Sequence, residues 1–207
     1  MKNYSYVGIT FIILIFGIWT VYNISKYDSS EEFFISGQIP AFSFTNQYNN
    51  TVTNQHLDGK VYVVEFFFTT CPSICPIMNE NMKKVEQALR RKLDFGIVSI
   101  TINPEFDTPE VLKAYAEKYQ VTHPNWHFLT GDREAIYKLA NEGFKLYAAS
   151  EEAAPGGFEH SGLFALIDKE GNIVSRYDSS GNPMYYYDGL NDSQIQMLIE
   201  DIQALLK

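Results

Sequence analysis

Cysteine and positive charge are what this 207-residue sequence has least of: two cysteines, and 16 lysines and arginines against 25 acidic side chains. Two cysteines exclude the multi-bridge framework that staples small exported domains. Only Pro72, Ser73 and Ile74 lie between Cys71 and Cys75. A bridge there closes too short a loop to constrain the unfolded chain much, so a purely structural disulfide explains the pair poorly. The formal net charge is −9, and no basic stripe or basic-aromatic patch occurs. That excludes a phosphate-backbone partner, and nucleic acid is set aside. Internal repeats and low-complexity tracts are also missing. What remains is an ordinary globular composition, with 15% aromatics to fill a core.

One absence is local. No charged side chain occurs from Asn3 to Ser25, and the run YVGITFIILIFGIWTVY is long and apolar enough to cross a hydrocarbon layer of about 30 Å as a helix. A cleaved signal peptide has a shorter apolar core and an Ala-x-Ala-like site, and VYNISKYDSSEE offers none. The expectation is an uncleaved anchor at residues 1–26, a polar tether at 27–33 and one domain at 34–207. Lys2 ahead of the span and acid behind it favour an N-in orientation with the domain exported, and Trp19 and Tyr22 suit the outer interfacial belt. The expected location is the bacterial cytoplasmic membrane, domain outward, with the mitochondrial inner membrane as the alternative.

The domain alternates strands and helices. AFSFTNQYNNTVTNQ reads as a hairpin turning at Tyr48-Asn49-Asn50, and VYVVEFFF, 61–68, as a central strand covered on both faces. Met78, Met82, Val85 and Leu89 recur at helical spacing after Pro76. DFGIVSITI is a second buried strand. DTPEVLKAYAEKY is a helix capped by Thr108 or Asp107, WHFLT a short strand, and REAIYKLANEGF a helix capped by Asp132. LFALID and NIVSRYD flank Lys169-Glu170-Gly171 as a second hairpin, and a final helix aligns Ile195, Leu198, Ile202 and Leu205. Early βα alternation with a late antiparallel hairpin predicts an α/β, thioredoxin-like fold: a mixed central sheet with flanking helices and an N-terminal hairpin.

In that plan Cys71 lies on the loop leaving the central strand and Cys75 at or near a helix start, where unpaired N–H groups and the helix dipole lower a thiol pKa. Thiolate serves disulfide exchange and metal binding alike, so a redox pair and a metal pair both stay open. Thioredoxin-type enzymes place two residues between their cysteines; three here let both sulfurs face one side of a helical turn. A third ligand must come from elsewhere. His56 reads as a solvated loop residue, His123 and His127 as loop and packing residues, and Met78 and Met82 as core. His160, in GGFEHSG ahead of the LFALID strand, enters a loop that lies against the cysteine loop in such a fold, with Gly156 and Gly157 giving it freedom to reposition. Two thiolates and one imidazole make a three-coordinate soft set suited to Cu(I), whereas structural zinc wants a fourth protein ligand. Cu(II) can be held as well, with water or another oxygen ligand.

TTCPSICPIM after a buried strand, INPEFDTPEVLKAYAEKY, WHFLTG and FEHSGLFALIDKEGNIV resemble, in order, the signatures of the Sco/SenC family of membrane-anchored copper chaperones for cytochrome c oxidase, from about residue 40 to the end. The resemblance implies one copper ion per chain, held by Cys71, Cys75 and His160, with an upstream donor protein as a candidate source. It also implies delivery to the CuA domain of oxidase subunit II during assembly. A thiol:disulfide oxidoreductase that keeps the CuA-site cysteines reduced is the alternative, and a binding protein is favoured over an enzyme. Asn103-Pro104 stands where the family commonly has Asp-Pro. A peroxidase would need an arginine that the sequence does not position. The tyrosines of MYYYDGL read as cover for the core edge.

Overall fold

A computed structural model describes residues 5–27, 33–150 and 157–207. It divides into two units, 1–32 and 33–207. In the first, helix α1 spans Ser5–Tyr27. Its described side chains, at positions 8 and 10–20, cover less than the roughly 20 residues that a spanning helix needs. Among the described residues no helix is long and apolar enough to cross a membrane, so the expected span rests on sequence alone. Residues 28–32 of the expected tether lie outside the described residues, as does Gly156.

The second unit is a mixed sheet. Its strands are β1 (Phe34–Gln38), β2 (Ser43–Asn46), β3 (Thr51–Thr53), β4 (Val61–Phe67), β5 (Phe95–Thr101), β6 (Trp126–Thr130), β9 (Leu163–Ile167) and β10 (Asn172–Ser175), in the spatial order β1-β10-β9-β4-β5-β6-β2-β3. Short β11 (Tyr187–Asp188) adds to β9, and β7 (Ala148–Ser150) pairs with β8 (Phe158–His160) as a separate ribbon. β4, β5 and β6 run parallel, while β9 lies antiparallel against β4. All seven residues of β4 and all seven of β5 are buried, as expected for β-branched and aromatic runs covered on both faces. The architecture is the thioredoxin-like plan read from the sequence.

The helices are α2 (Cys75–Leu89), α3 (Pro109–Lys118), α4 (Arg133–Lys138) and α5 (Asp192–Leu205). Met78, Met82, Val85 and Leu89 form the buried face of α2, which packs beside α5. Side chains cap three helices by accepting backbone N–H bonds: Thr108 from Val111, Asp132 from Ala135, and Asn191 from Ser193 and Gln194. Both expected hairpins form, with Asn49 and Gly171 in the left-handed region at φ 60° and 81°.

Three details differ from the sequence reading. β1 was not anticipated; it pairs with β10 through a bulge between Ile35 and Gly37, where glycine weakens the strand pattern. The helix expected through Phe144 ends at Lys138 and widens into a π turn, Leu139–Gly143. Leu205 is only partly buried, and Leu206 takes the core position beyond Ile202. Of the tyrosines at the core edge, Tyr187 is buried and Tyr185 exposed.

Candidate metal centre

The cysteine loop leaves the C-terminal end of β4, and Cys75 is the first residue of α2. No side chain caps this helix, and Pro76 occupies its first turn. The uncapped end of the helix dipole therefore acts next to sulfur. Below the loop, Asp107 serves as a clamp. Its carboxylate accepts from Thr69 N at 3.1 Å and from the hydroxyls of Thr69 and Thr101. Asp107 is fully buried, and its three donors tie the segment two residues before Cys71 to β5 and to the turn before α3. Asn103 contributes its backbone: its carbonyl accepts from Phe106 N and Asp107 N.

The third residue arrives from β8. His160 is 85 residues from Cys75 in sequence, yet its Nε2 stands 3.1 Å from Cys75 Sγ, while Nδ1 lies 3.0 Å from the Ser161 carbonyl. Phe68 packs edge-on against the imidazole, with ring centroids 5.9 Å apart and planes at 85°. The ligand atoms of Cys71, Cys75 and His160 all lie within 4.8 Å of one another, the one such cluster among the described residues. Cys71 is 9% exposed, His160 8% and Cys75 0%. The other histidines stay apart. His123 bonds the Lys92 carbonyl and the Asn125 amide, His56 bonds Thr53, and His127 packs on β6.

Both thiols are unbridged, and they titrate in opposite directions. Cys71 is pulled down to about 3, chiefly because the Cys75 thiol donates to it, with His160 adding to the effect against the cost of burial. Cys75 is pushed far above the ordinary thiol range by the same shared proton and by burial. Cys71 is thus the thiolate of the pair, and Cys75 keeps its proton. The arrangement can close on a soft cation when that proton leaves, or join the two sulfurs when an oxidant removes two electrons and the Cys75 proton leaves.

Glu65 was missed by the sequence reading, although a lone carboxylate inside VYVVEFFF was the signal. It is completely buried in β4. Oε1 accepts from Ser99 Oγ at 2.6 Å, and Ser99 in turn accepts from Trp126 Nε1 at 3.0 Å. Oε2 has no partner among the described residues. Burial pushes its carboxyl up to about 7, opposed by the Ser99 bond and by His160.

The comparisons agree with this geometry. The SCO1/SenC family model matches residues 35–193. A SCO1 protein homolog of Bacillus subtilis (strain 168) is 31% identical over 150 residues, 72% of this chain and 77% of that protein. Among solved structures, the fold resembles BsSco, a member of the Sco family of cytochrome c oxidase assembly proteins in which a disulfide switch was identified. The TM-score is 0.70 at 27% identity, over 84% of this chain and 96% of that one. Yeast Sco1 with copper bound gives 0.60 at 26% identity, over 81% of this chain and 89% of the other. With a model spanning most of its length and a relative above 30% identity over more than two thirds of both proteins, the chain belongs to the SCO1/SenC family.

Proposed function

We propose that this protein is a copper metallochaperone that holds one copper ion between Cys71, Cys75 and His160. On this reading it passes the ion to the CuA centre of cytochrome c oxidase subunit II during oxidase assembly. The observation that carries the reading is the convergence of two sulfurs and one imidazole nitrogen within 4.8 Å. The donors fit the cargo: thiolates select Cu(I), imidazole accepts either oxidation state, and three protein ligands fall short of the four of structural zinc. A three-ligand set leaves the ion a free coordination position for an incoming thiolate, and ligand exchange hands the ion over. Copper in yeast Sco1 and the oxidase-assembly role of the family of BsSco support the assignment. The uncharged run from Asn3 to Ser25 supports a single-pass anchor that holds the domain outside the bacterial cytoplasmic membrane.

Cu(I) competition against a chelator, on the reduced full chain in detergent, tests the site. Wild type should bind one ion tightly, and His160→Ala should lose at least tenfold in affinity with its circular dichroism unchanged. Equal affinity in the two proteins would remove the three-ligand site. The opposed titration of the cysteines favours one second reading, a thiol:disulfide oxidoreductase. Reduction of a CuA-site disulfide that persists in His160→Ala would favour that reading over delivery.

A further inference from the structure

His160 does not belong to the main sheet. It ends β8, in a two-stranded ribbon whose register sets Ala148 of β7 opposite His160. Such a ribbon is marginal alone, so the place of the imidazole depends on what holds β7. The Ser161 N–H donates to the Tyr147 carbonyl at 3.0 Å. In an antiparallel ladder the next pair, Ala148 with His160, then turns its backbone N–H and C=O outward, away from the partner strand. Both outward groups of Ala148 are taken by one side chain. Asn141 Nδ2 donates to the Ala148 carbonyl at 3.0 Å, and Asn141 Oδ1 accepts from Ala148 N at 3.0 Å. The carboxamide stands where a third strand's peptide would stand.

Asn141 is itself firmly placed. It occupies the middle of the π turn, between buried Ala140 and the Phe144 N–H bond to the Leu139 carbonyl. The Leu146 N–H closes back on the Ala140 carbonyl at 2.9 Å. The π turn adds one residue per turn relative to an α-helix, and such turns recur at functional sites.

We propose that Asn141 is a positioning residue for His160. Through Ala148 it fixes the ribbon that carries the imidazole to Cys75 Sγ. This deepens the metal-site reading and rests on it for its consequence in copper binding, but its geometric part concerns the metal-free protein. When the carboxamide is lost, the outer edge of β7 has no partner, the ribbon loosens, and the site falls back to a two-sulfur pair.

The experiment uses the reduced full chain in detergent, as wild type, Asn141→Ala and Asn141→Asp. Asn141 is exposed, so its loss leaves the core packing intact. In metal-free protein, carbethoxylation by diethyl pyrocarbonate is followed by peptide mapping at His160 and at His123, the internal standard, which is buried and bonded at both ring nitrogens. In Asn141→Ala the rate at His160 should rise about tenfold with His123 unchanged. Asn141→Asp keeps the acceptor for Ala148 N and should fall between. Cu(I) affinity of Asn141→Ala should drop toward that of His160→Ala, and the double variant should lose nothing further. Unchanged His160 reactivity, a parallel rise at His123, or losses that add in the double variant would each overturn the proposal. If wild type binds no Cu(I) while His160 reactivity still rises in Asn141→Ala, the metal reading fails and the positioning role stands.

Discussion

Glu65 makes part of the folding stability of this protein depend on pH. A carboxyl raised by burial from 4.5 to about 7 keeps its proton in the folded state while the unfolded chain has released its own. Folding stability is then fully present below about 4.5. It falls by about 1.4 kcal/mol per pH unit as pH rises toward 7, and is level above that. The expected loss across the window is about 3 kcal/mol. Urea midpoints at pH 5 and pH 8 check it: Glu65→Gln should lack the drop that wild type shows, and equal drops in both proteins would falsify the assignment. Asn79 lies in the same interior, with Nδ2 donating to the Cys75 carbonyl at 2.9 Å and to Tyr115 Oη at 3.0 Å, and with Oδ1 unpartnered among the described residues. Polar atoms of this kind are uncommon in a packed core. Two of them beneath a cysteine pair mark the polar floor of the site.

Between elements, the cysteine loop and the histidine ribbon are held by different means, and each should fail separately. Asp107→Ala leaves the Thr69 amide and hydroxyl and the buried Thr101 hydroxyl without their acceptor, at an expected cost of about 3 kcal/mol. Because Thr69 sits two residues before Cys71, alkylation of Cys71 should accelerate while that ribbon keeps its place. Urea unfolding and iodoacetamide kinetics measure both, and a variant indistinguishable from wild type in each would refute the clamp. The same elements show what the sequence makes legible. β4, α2 and α5 are readable because an apolar run, a 3.6-residue repeat and an Asn cap are local signals. β1 is not, because it is short, contains glycine, and is stabilised by β10 some 137 positions away. The π turn hides inside a sequence that keeps the helical pattern through Phe144. The cysteine pair announces itself, and His160 is placed by the strand that follows it. Glu65 and Asn141 become informative only when the fold shows what their polar atoms face.

For the molecule as a whole, the chain falls into two units. The 33–207 unit carries the sheet and the metal centre, and the reading of residues 1–26 as an anchor makes sidedness the testable quantity. Protease added to intact bacterial spheroplasts should digest the domain and spare the apolar segment, and a domain protected until lysis would refute the outward orientation. The order in which the ligands occur along the chain has a consequence in time. Cys75 precedes His160 by 85 positions, and synthesis adds roughly 5–20 residues per second. The nascent cysteine pair therefore emerges roughly 4–17 s before the imidazole that completes the site. β9, which follows His160 after two residues, must then pair with β4, and β10 adds to it afterwards. During that interval the thiols are open to oxidants and to stray metal, so the moment of greatest chemical exposure for this protein comes before it has finished folding.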